Sequence, residues 1–297
     1  MPRVAVIIVC YNGVADTLEC LDSLSRLTYP DVQTVVVDNA STDGTAEAVR
    51  ERFPDVHVLE TGDNLGYAGG NNTGVRYALD TLRADYTFLL NNDTTVTPGL
   101  LEPLVAYAEA NRAAGIIGPL MCYYDVPETV WASGGTMSGR GDSILRDNGV
   151  PVAAVPDHPI EADFVVGCGI LVRRDVWETV GLFDERFFLY YEDSDLCFRA
   201  RRAGYRCVTV PTARLYHKIS RSTGADSEQT LYYMRRNALL FLQKNGSFGG
   251  RSGALADDAR LFCVWNLRGE TRRAAVLATA VADYFAGRFG RKNAPFR

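Results

Sequence analysis

The tripeptide Asn91-Asn92-Asp93 is the first stretch of the sequence that could do chemistry, since it places two amides and a carboxylate directly after the apolar run YTFLL at residues 86–90. Such side chains have two common uses after a buried strand. They cap a turn that leads into the next helix, because Asn, Asp and Thr bond their own backbone there. They also bind a metal ion and a diphosphate at the carboxyl edge of a parallel sheet. The tripeptide alone favours the capped turn, so the rest of the chain has to decide.

Polar residues also follow the three predicted strands that precede this one. They are Tyr11-Asn12-Gly13 after residues 4–10, Asp38-Asn39 at the end of residues 32–38, and Asp63-Asn64 with the glycine-rich segment 66–72 after residues 56–60. Each group alone is explained by a turn or a helix cap. Four consecutive strands that bring polar groups to one edge of a sheet indicate a ligand site there. Neither the G-x-G-x-x-G dinucleotide fingerprint nor a P-loop follows the first strand.

The hydrophobic pattern places these residues on an α/β fold. Short β-rich runs alternate with helical patterns as far as about residue 118, which predicts a mostly parallel sheet with helices on both faces. Residues 120–160 are rich in Gly, Pro, Ser and Asp and predict long loops or a small hairpin over the site. The later predicted elements are a strand over 163–174, a helix over 193–203, a strand over 205–210, and helices from about Ser227 with glycine breaks near 246–253 and at Gly269.

The composition is that of an ordinary globular protein, with 47% hydrophobic and 23% charged residues among 297. The seven cysteines are scattered and form no C-x-x-C pair, which favours reduced, mostly buried thiols in a cytoplasmic protein over disulfides or a zinc site. No apolar stretch of the sequence approaches the roughly 18 residues of a membrane span. Residues 4–10 are too short for the core of a secretion signal. The sequence therefore predicts a cytoplasmic protein with a large core.

Five motifs run through the chain in this order: VAVIIVCYNG, VVVDNASTDGT, DNLGYAGGNNTG, LLNNDT and YYEDSDLCFRARRAGY. Over about residues 3–245 they resemble the family 2 glycosyltransferases of the GT-A fold, above all the bacterial rhamnosyltransferase-type members that build cell-surface polysaccharides. The resemblance implies a GT-A catalytic domain over residues 1–226 and a C-terminal helical region over residues 227–297. It also implies an inverting, metal-dependent glycosyltransferase that moves a sugar from a nucleoside diphosphate to a cell-surface glycan or lipid-linked acceptor.

The donor that the resemblance suggests first is dTDP-L-rhamnose. A UDP- or GDP-sugar is the alternative on the same fold, and a nucleotide-sugar-binding module without catalysis is the alternative outside the enzymes. Retention of Asp93, Asp193 and His217 together argues against the binding module. A sugar nucleotidyltransferase would need a glycine-rich basic loop after the first strand, which residues 11–16 lack. No nucleic-acid partner is predicted, and a homodimer is left open.

The family pattern also implies a role for each matching residue. The nucleotide-sugar pocket is implied for Tyr11, Asp38, Asn39, Asn64, Gly66, Asn71, Asn72, Asn91 and Asn92, with residues 66–72 as a turn that closes on it. The sugar and acceptor side is implied for Gly167, Cys168 and Glu192, and Trp131 is a further candidate because it is an aromatic residue of the loop region. Asp193 is implied as the general base. Its alternative role is to cap a helix, where the dipole favours a carboxylate.

The implied metal ligands are Asp93 and His217. Asp93 matches the last acid of the family's D-x-D motif, but Asn91 and Asn92 depart from the motif and leave one carboxylate where two are usual. Related members place a metal-binding histidine at a similar distance after the Glu-Asp pair, so His217 would compensate; an ordinary loop histidine is the alternative. A divalent cation would neutralise the departing diphosphate. Hard oxygen ligands suit Mg²⁺ or Mn²⁺, and a histidine favours Mn²⁺.

Charge is distributed unevenly along the chain. From Glu228 to the end there are 12 Lys+Arg against 5 Asp+Glu, a balance of +7, whereas residues 1–227 carry 19 against 31, a balance of −12. The basic residues considered are Arg235, Arg236, Arg251, Arg260, Arg268, Arg272, Arg273, Arg288, Arg291 and Lys292, and the apolar ones between them are Leu261, Phe262, Val264, Trp265, Val276, Leu277, Val281, Tyr284, Phe285 and Phe289. The combination predicts an interfacial helix on anionic lipid, at the inner face of the cell membrane. The alternative is that the apolar residues pack on the rest of the chain or on a dimer partner.

Overall fold

Ten of the twelve strands in the described part of the chain form one central sheet surrounded by helices, and the other two form a separate two-stranded sheet. The computed structural model describes residues 1–219 and 227–292. The strands are β1 (Val4–Cys10), β2 (Val32–Asp38), β3 (His57–Glu60), β4 (Tyr86–Asn91), β5 (Thr94–Val96), β6 (Ala114–Tyr123), β7 (Val130–Ala132), β8 (Gly135–Met137), β9 (Ser143–Leu145), β10 (Ile160–Ala162), β11 (Gly169–Arg173) and β12 (Arg206–His217). The helices are α1 (Val14–Leu24), α2 (Thr45–Arg52), α3 (Gly66–Asp80), α4 (Leu101–Ala110), α5 (Arg174–Val180), α6 (Glu192–Arg202), α7 (Glu228–Asn245), α8 (Phe248–Leu267) and α9 (Thr271–Phe285).

The first four strands form a fully parallel half of the sheet, in the order β3-β2-β1-β4. Cys10 pairs with Asp38 and Val9 with Asn91, so these strands end side by side. Antiparallel β11 joins β4 to β6, and β6 pairs in parallel with β12. The predicted α/β fold with a mostly parallel sheet is confirmed, and the polar residues that follow the strands share one edge.

Residues 66–72 form the first two turns of α3, so the prediction of a turn there is wrong. The glycines allow the helix to pack directly on β1. A Cβ on Gly70 would lie 2.6 Å from Val9 Cγ1, and one on Gly74 would lie 2.4 Å from Ile7 Cγ2. Gly66 begins the helix with φ at +72°, where a Cβ would lie 2.4 Å from the Phe188 carbonyl oxygen. The glycines thus serve close packing rather than a mobile loop.

Two other segments differ from prediction in extent. The hairpin predicted within residues 120–160 is present as β8 and β9. The strand predicted over 163–174 begins only at Gly169. The strand predicted over 205–210 continues to His217, because β12 keeps pairing with β6 and then with β5. His217 is therefore the last residue of a strand and not part of the loop beyond it.

The C-terminal helices pack against the rest of the protein, which corrects part of the membrane prediction. Arg236 is only 1% exposed, so it cannot touch a membrane. Four of the apolar residues assigned to the membrane face are buried instead: Trp265, Val276, Leu277 and Tyr284. The predicted glycine break is limited to the short link between α7 and α8, since Gly249, Gly250 and Gly253 lie within α8. The division into domains at residue 226 stays a prediction.

Helix α9 is fixed by a buried carboxylate. Asp283 is 2% exposed and accepts hydrogen bonds from Tyr232 Oη at 2.6 Å, Arg288 Nε at 2.6 Å and Lys292 Nζ at 2.7 Å. Burial alone would raise the pKa of Asp283, but these donors outweigh it and lower the pKa to about 2. The carboxylate therefore stabilises the fold above the ordinary pKa of about 4, and this stabilisation is lost as the pH falls toward 2.

We expect Asp283→Asn to lower the free energy of unfolding at pH 7 by about 1–3 kcal/mol, because three donors lose a charged acceptor in a buried place. The difference between variant and wild type should shrink between pH 4 and pH 2. Urea unfolding at these pH values measures both effects. The control is Glu270→Gln, since Glu270 pairs at the surface with Arg273 at 3.2 Å and should matter little. Equal stability of Asp283→Asn and wild type at pH 7 would contradict the prediction.

Candidate active site

The pairing of β12 with β5 brings His217 beside Asp93. His217 lies opposite Thr94 in the register, and its Nε2 is 3.2 Å from Asp93 Oδ1. Both residues are buried, and their 3.2 Å contact lacks hydrogen-bond geometry, so Asp93 Oδ1 and His217 Nδ1 have no hydrogen-bond partner among the described residues. Buried polar atoms without a partner are rare and call for a ligand or ion. A carboxylate oxygen and an imidazole nitrogen so close together fit a divalent cation.

Neighbouring side chains hold this pair in place. The Trp131 ring packs edge-on against the His217 ring, with centroids 4.6 Å apart. The backbone N–H of Lys218 donates to the Asp93 carbonyl at 2.9 Å, and Lys218 Nζ reaches Asp16 Oδ1 at 2.6 Å. Within residues 1–219 and 227–292, no group of three or more His, Cys, Asp or Glu side chains could hold a metal ion. Asp93 and His217 are thus two candidate ligands within the described part of the chain, and a bound diphosphate or water would have to complete the set.

A cavity of about 480 Å³ opens at the carboxyl edge of the parallel strands, next to Asp93. Six residues predicted to bind the nucleotide sugar line it: Tyr11, Asn39, Asn64, Gly66, Asn91 and Asn92. Its other lining residues are Val9, Asn12, Gly13, Asp16, Tyr67, Asp93, Phe188, Leu189 and Gln229. The strands, α3 and the first turn of α7 therefore all contribute to one cavity with many amide and hydroxyl groups, which can orient a polar ligand.

Three residues predicted for the nucleotide-sugar pocket do not line this cavity. Asp38 is 3% exposed and accepts a hydrogen bond from the Ser41 backbone N–H at 2.9 Å, so it fixes the turn after β2. Asn71 donates to the Tyr67 carbonyl at 3.0 Å. Asn72 bonds the backbone of Phe183 through both its oxygen, at 2.9 Å, and its nitrogen, at 3.0 Å. Their contacts are those of residues that support the cavity wall.

Asp193 stands at the second position of α6, where the helix dipole and backbone donors act on it. Its Oδ2 accepts from the Gly167 N–H at 2.9 Å, and its Oδ1 accepts from the Ser194 N–H at 2.6 Å. Burial raises the pKa of Asp193, and these hydrogen bonds offset only part of that effect. A fixed, partly exposed carboxylate with a raised pKa is suited to accept a proton.

Glu192 is buried beside Asp193. It is 5% exposed, and its Oε2 has no hydrogen-bond partner among the described residues. Burial, followed by the charge of Asp193, raises the pKa of Glu192 well above its usual value. Of the two adjacent acids, Asp193 is the more exposed and the better held, so it is the better candidate for proton transfer.

Gly167 connects Asp193 to Tyr67 in the wall of the 480 Å³ cavity, here called the nucleotide-sugar cavity after its predicted ligand. Its carbonyl accepts a hydrogen bond from Tyr67 Oη, and its N–H bonds Asp193. A Cβ at this position would lie 3.0 Å from Tyr67 Oη and 3.4 Å from Asp193 Oδ2, so a side chain would crowd both. The Cys168 side chain points into the core, where its Sγ lies 3.3 Å from Met121 Sδ. Its carbonyl accepts from the Asn91 N–H at 3.1 Å, so Cys168 contacts the site wall through its backbone. Its predicted place on the sugar and acceptor side stays a prediction.

Sequence reasoning missed several lining residues. Tyr67 stands in the motif GYAGG, and Phe188 and Leu189 lie directly before the motif that begins at Tyr190, so a position in or next to a motif is a usable signal. Asn12 and Asp16 follow the first strand, and a polar residue in that place is a second usable signal. Gln229 comes from α7, far along the chain, and nothing local in the sequence marks it.

These features agree with comparisons to known proteins. The sequence profile described as Glycosyl transferase family 2 matches residues 5–181. The chain belongs to this family and is a glycosyltransferase of the hexosyltransferase type. The profile ends before Asp193 and His217, so the case for these two residues rests on the geometry described above and on the motif resemblance.

Two relatives are rhamnosyltransferases by name. The chain is 31% identical over 299 residues to the N-acetylglucosaminyl-diphospho-decaprenol L-rhamnosyltransferase of Mycobacterium tuberculosis, covering 90% of this chain and 95% of the relative. It is 26% identical over 251 residues to the dTDP-rhamnosyl transferase RfbF of Shigella flexneri, covering 82% and 81% of the two chains. The mannosyltransferase PcManGT from Pyrobaculum calidifontis, solved with GDP-Man and Mn²⁺, has a similar fold, with a TM-score of 0.58 at 20% identity over 96% of this chain and 87% of that one.

We expect Asp193→Asn to reduce transfer by roughly 100-fold or more while donor affinity stays the same, because the amide keeps the shape but cannot accept a proton. In the wild type, activity should fall as the pH drops through the raised pKa of Asp193, since the carboxylate must be unprotonated. Turnover and donor binding are measured separately. Asp175→Asn is the matched control, since Asp175 is also the second residue of its helix, α5. If Asp193→Asn retains more than about a tenth of the wild-type turnover, Asp193 is not the general base.

Proposed function

We propose that the protein is an inverting transferase that moves L-rhamnose from dTDP-L-rhamnose to a sugar hydroxyl of a lipid-linked or cell-surface glycan acceptor. The observation that carries this proposal is the connected set Tyr67–Gly167–Asp193, which joins the wall of the nucleotide-sugar cavity to the base. The acceptor oxygen would attack the anomeric carbon, its proton would pass to Asp193, and the bond to the nucleoside diphosphate would break. A single displacement of this kind inverts the anomeric configuration, and the fixed placement of both reactants supplies much of the rate.

Asp93 and His217 would hold the divalent cation, for which Mn²⁺ or Mg²⁺ is proposed. When bound, the ion would neutralise charge on the departing diphosphate. The side chains would act by position: the pairing of β12 with β5 sets Asp93 Oδ1 and His217 Nε2 3.2 Å apart beside the cavity that Asp93 lines, and Trp131 would keep the imidazole from turning away. A nitrogen ligand favours Mn²⁺ over Mg²⁺, which demands oxygen ligands.

The names of the relatives support the proposed donor and acceptor. Two of them are named for transfer of rhamnose, and the name of the Mycobacterium tuberculosis relative gives a lipid-linked N-acetylglucosaminyl diphosphate as the acceptor. A UDP- or GDP-sugar remains the alternative donor, since the structural neighbour PcManGT is solved with GDP-Man. None of the helices in the described parts of the chain is both long and apolar enough to cross a bilayer. A location at the inner face of the cell membrane is part of the proposal, and a homodimer stays an alternative use of the exposed C-terminal surface.

Replacing His217 by Ala should raise the Mn²⁺ concentration needed for half-maximal activity by about tenfold or more, because one of the two ligands that the protein offers is removed. The measurement is a Mn²⁺ titration of transfer at saturating donor. His57→Ala is the control, since His57 lies on β3 and contacts Tyr77 Oη at 3.1 Å. An unchanged Mn²⁺ midpoint in His217→Ala would show that this residue is not a ligand.

The donor can be tested with a panel of dTDP-, UDP- and GDP-sugars in the presence of Mn²⁺. We expect dTDP-L-rhamnose to raise the melting temperature most, since a ligand that binds only the folded state stabilises it. The same sugar should be transferred to an N-acetylglucosaminyl diphosphate carrying a short prenyl chain. If only a UDP- or GDP-sugar raises the melting temperature, that sugar nucleotide is the donor in place of dTDP-L-rhamnose. Stabilisation without any transfer or hydrolysis of the donor would instead support a binding module.

A further inference from the structure

Helix α8 exposes one continuous face, here called the outer surface of α8. Its members are Phe248, Gly249, Ser252, Ala256, Ala259, Arg260, Phe262, Cys263, Asn266 and Leu267, all of them exposed. Positions 248, 252, 256, 259, 263 and 266 recur every three or four residues, which is the spacing of a single helix face. Phe248 is 79% exposed, Phe262 40% and Leu267 89%. Large apolar side chains are thus present near both ends of the helix, about 28 Å apart at 1.5 Å per residue.

This surface carries no carboxylate. The two acids of α8 are paired elsewhere: Asp257 Oδ2 lies 2.6 Å from Arg140 Nη1, and the 5% exposed Asp258 has its Oδ1 3.3 Å from Arg235 Nη1. Arg260 lies on the outer surface itself, and Arg268 follows directly after the helix. The outer surface of α8 therefore combines apolar side chains with positive charge only.

The arginines at this surface differ from the others of the C-terminal region. Arg260 and Arg268 have no acidic partner within ion-pair distance in the described residues, and neither does the half-buried Arg251, which lies beside the outer surface and contacts Tyr284 Oη at 3.5 Å. Arg272 instead pairs with Glu228 at 2.5 Å, and the guanidinium of Arg288 pairs with Asp283 at 2.6 Å. The remaining positive charge of the region is thus concentrated along α8 and is available to an anionic partner.

We propose that the outer surface of α8 lies flat on the anionic surface of a lipid bilayer, with Phe248, Phe262 and Leu267 inserted and Arg260 and Arg268 among the headgroups. Apolar residues between arginines, on a helix that does not span the bilayer, are the features of an interfacial helix. Charge decides between a bilayer and a second copy of this chain. Two copies meeting through this surface would face each other with arginines and no acid, whereas anionic headgroups complement them.

The opposite side of α8 lies over a second cavity, which explains how such docking would serve catalysis. This cavity measures about 380 Å³, and its lining includes Ala254 and Asp258 of α8, Met234 and Arg235 of α7, and Tyr191. Tyr191 immediately precedes Glu192 and Asp193. A bilayer against α8 would therefore lie one helix away from a cavity that reaches Tyr191, two residues before the proposed base Asp193.

The test is cosedimentation with vesicles of phosphatidylglycerol and phosphatidylcholine and with vesicles of phosphatidylcholine alone, at low and high salt, without donor or acceptor. We expect the wild type to bind the anionic vesicles and to be released by salt. Arg260→Glu with Arg268→Glu should weaken binding about tenfold or more, since each basic residue at such a surface contributes and reversal adds repulsion. Phe262→Glu with Leu267→Glu should weaken it at least as much.

The matched controls replace an exposed apolar residue or an exposed arginine by Glu at positions outside α8. Val126→Glu alters an apolar side chain that is 55% exposed, and Arg26→Glu alters an exposed arginine after α1; both should bind like the wild type. All variants should keep the wild-type melting temperature and rate of donor hydrolysis, which separates this test from that of the transferase. Negligible binding of the wild type to both vesicles would overturn the proposal, as would α8 variants that bind like the wild type. Self-association that is lost in Leu267→Glu, without vesicle binding, would assign the surface to a second copy.

Discussion

The active site depends on a set of hydrogen bonds that helix α7 makes to a strained segment, residues 187–191. Phe188, Tyr190 and Tyr191 have φ values of +65°, +69° and +74°, a left-handed conformation that costs a bulky L-residue on the order of 1–3 kcal/mol. Asn237 Nδ2 contacts the carbonyls of Phe187, Leu189 and Tyr190 at 2.8–2.9 Å. The buried Arg236 adds a bond to the Phe187 carbonyl at 3.1 Å. These donors from α7 bond three carbonyls of the segment, those of residues 187, 189 and 190, and so hold it in the strained conformation.

The strained segment has consequences on both of its sides. Phe188 and Leu189 line the nucleotide-sugar cavity, and the Phe188 carbonyl accepts a hydrogen bond from the Ala68 N–H at the start of α3. On the other side, the segment runs directly into α6 and places Asp193. The C-terminal helices are therefore part of the scaffold of the catalytic groups, and the two regions predicted as separate domains meet at this segment.

The strand ends could be predicted because their signal is local. A strand buried on both faces must be apolar at nearly every position, as residues 4–10 are, so the first polar residue after it marks the sheet edge. Parallel pairing then brings Asn39 and Asn91 to the same cavity with no further information. His217 could be proposed from its distance to the Glu-Asp pair, although its place at the end of β12 follows from pairing with distant strands.

The remaining features depend on tertiary contacts that no short segment encodes. Glycines in residues 66–72 are typical of a turn, and only the proximity of β1 shows why a helix needs them there. Arg236 resembles any surface arginine until its carbonyl partners, supplied by residues 186, 187 and 290, are known. The direction of the Cys168 side chain and the entry of Gln229 into the cavity are likewise decided by packing between distant parts of the chain.

The double use of Gly167 has a consequence for how the two halves of the site can vary. Its N–H is committed to Asp193 and its carbonyl to Tyr67, so a shift of this one residue changes the orientation of the carboxylate and the shape of the cavity together. Residues that share a partner in this way do not contribute independent free energies. Substitutions at positions 67 and 193 should consequently be non-additive, and a change at position 67 that reshapes the cavity would also move the Asp193 carboxylate. Positions 67 and 193 would therefore have to be changed together, both in natural evolution and in protein engineering.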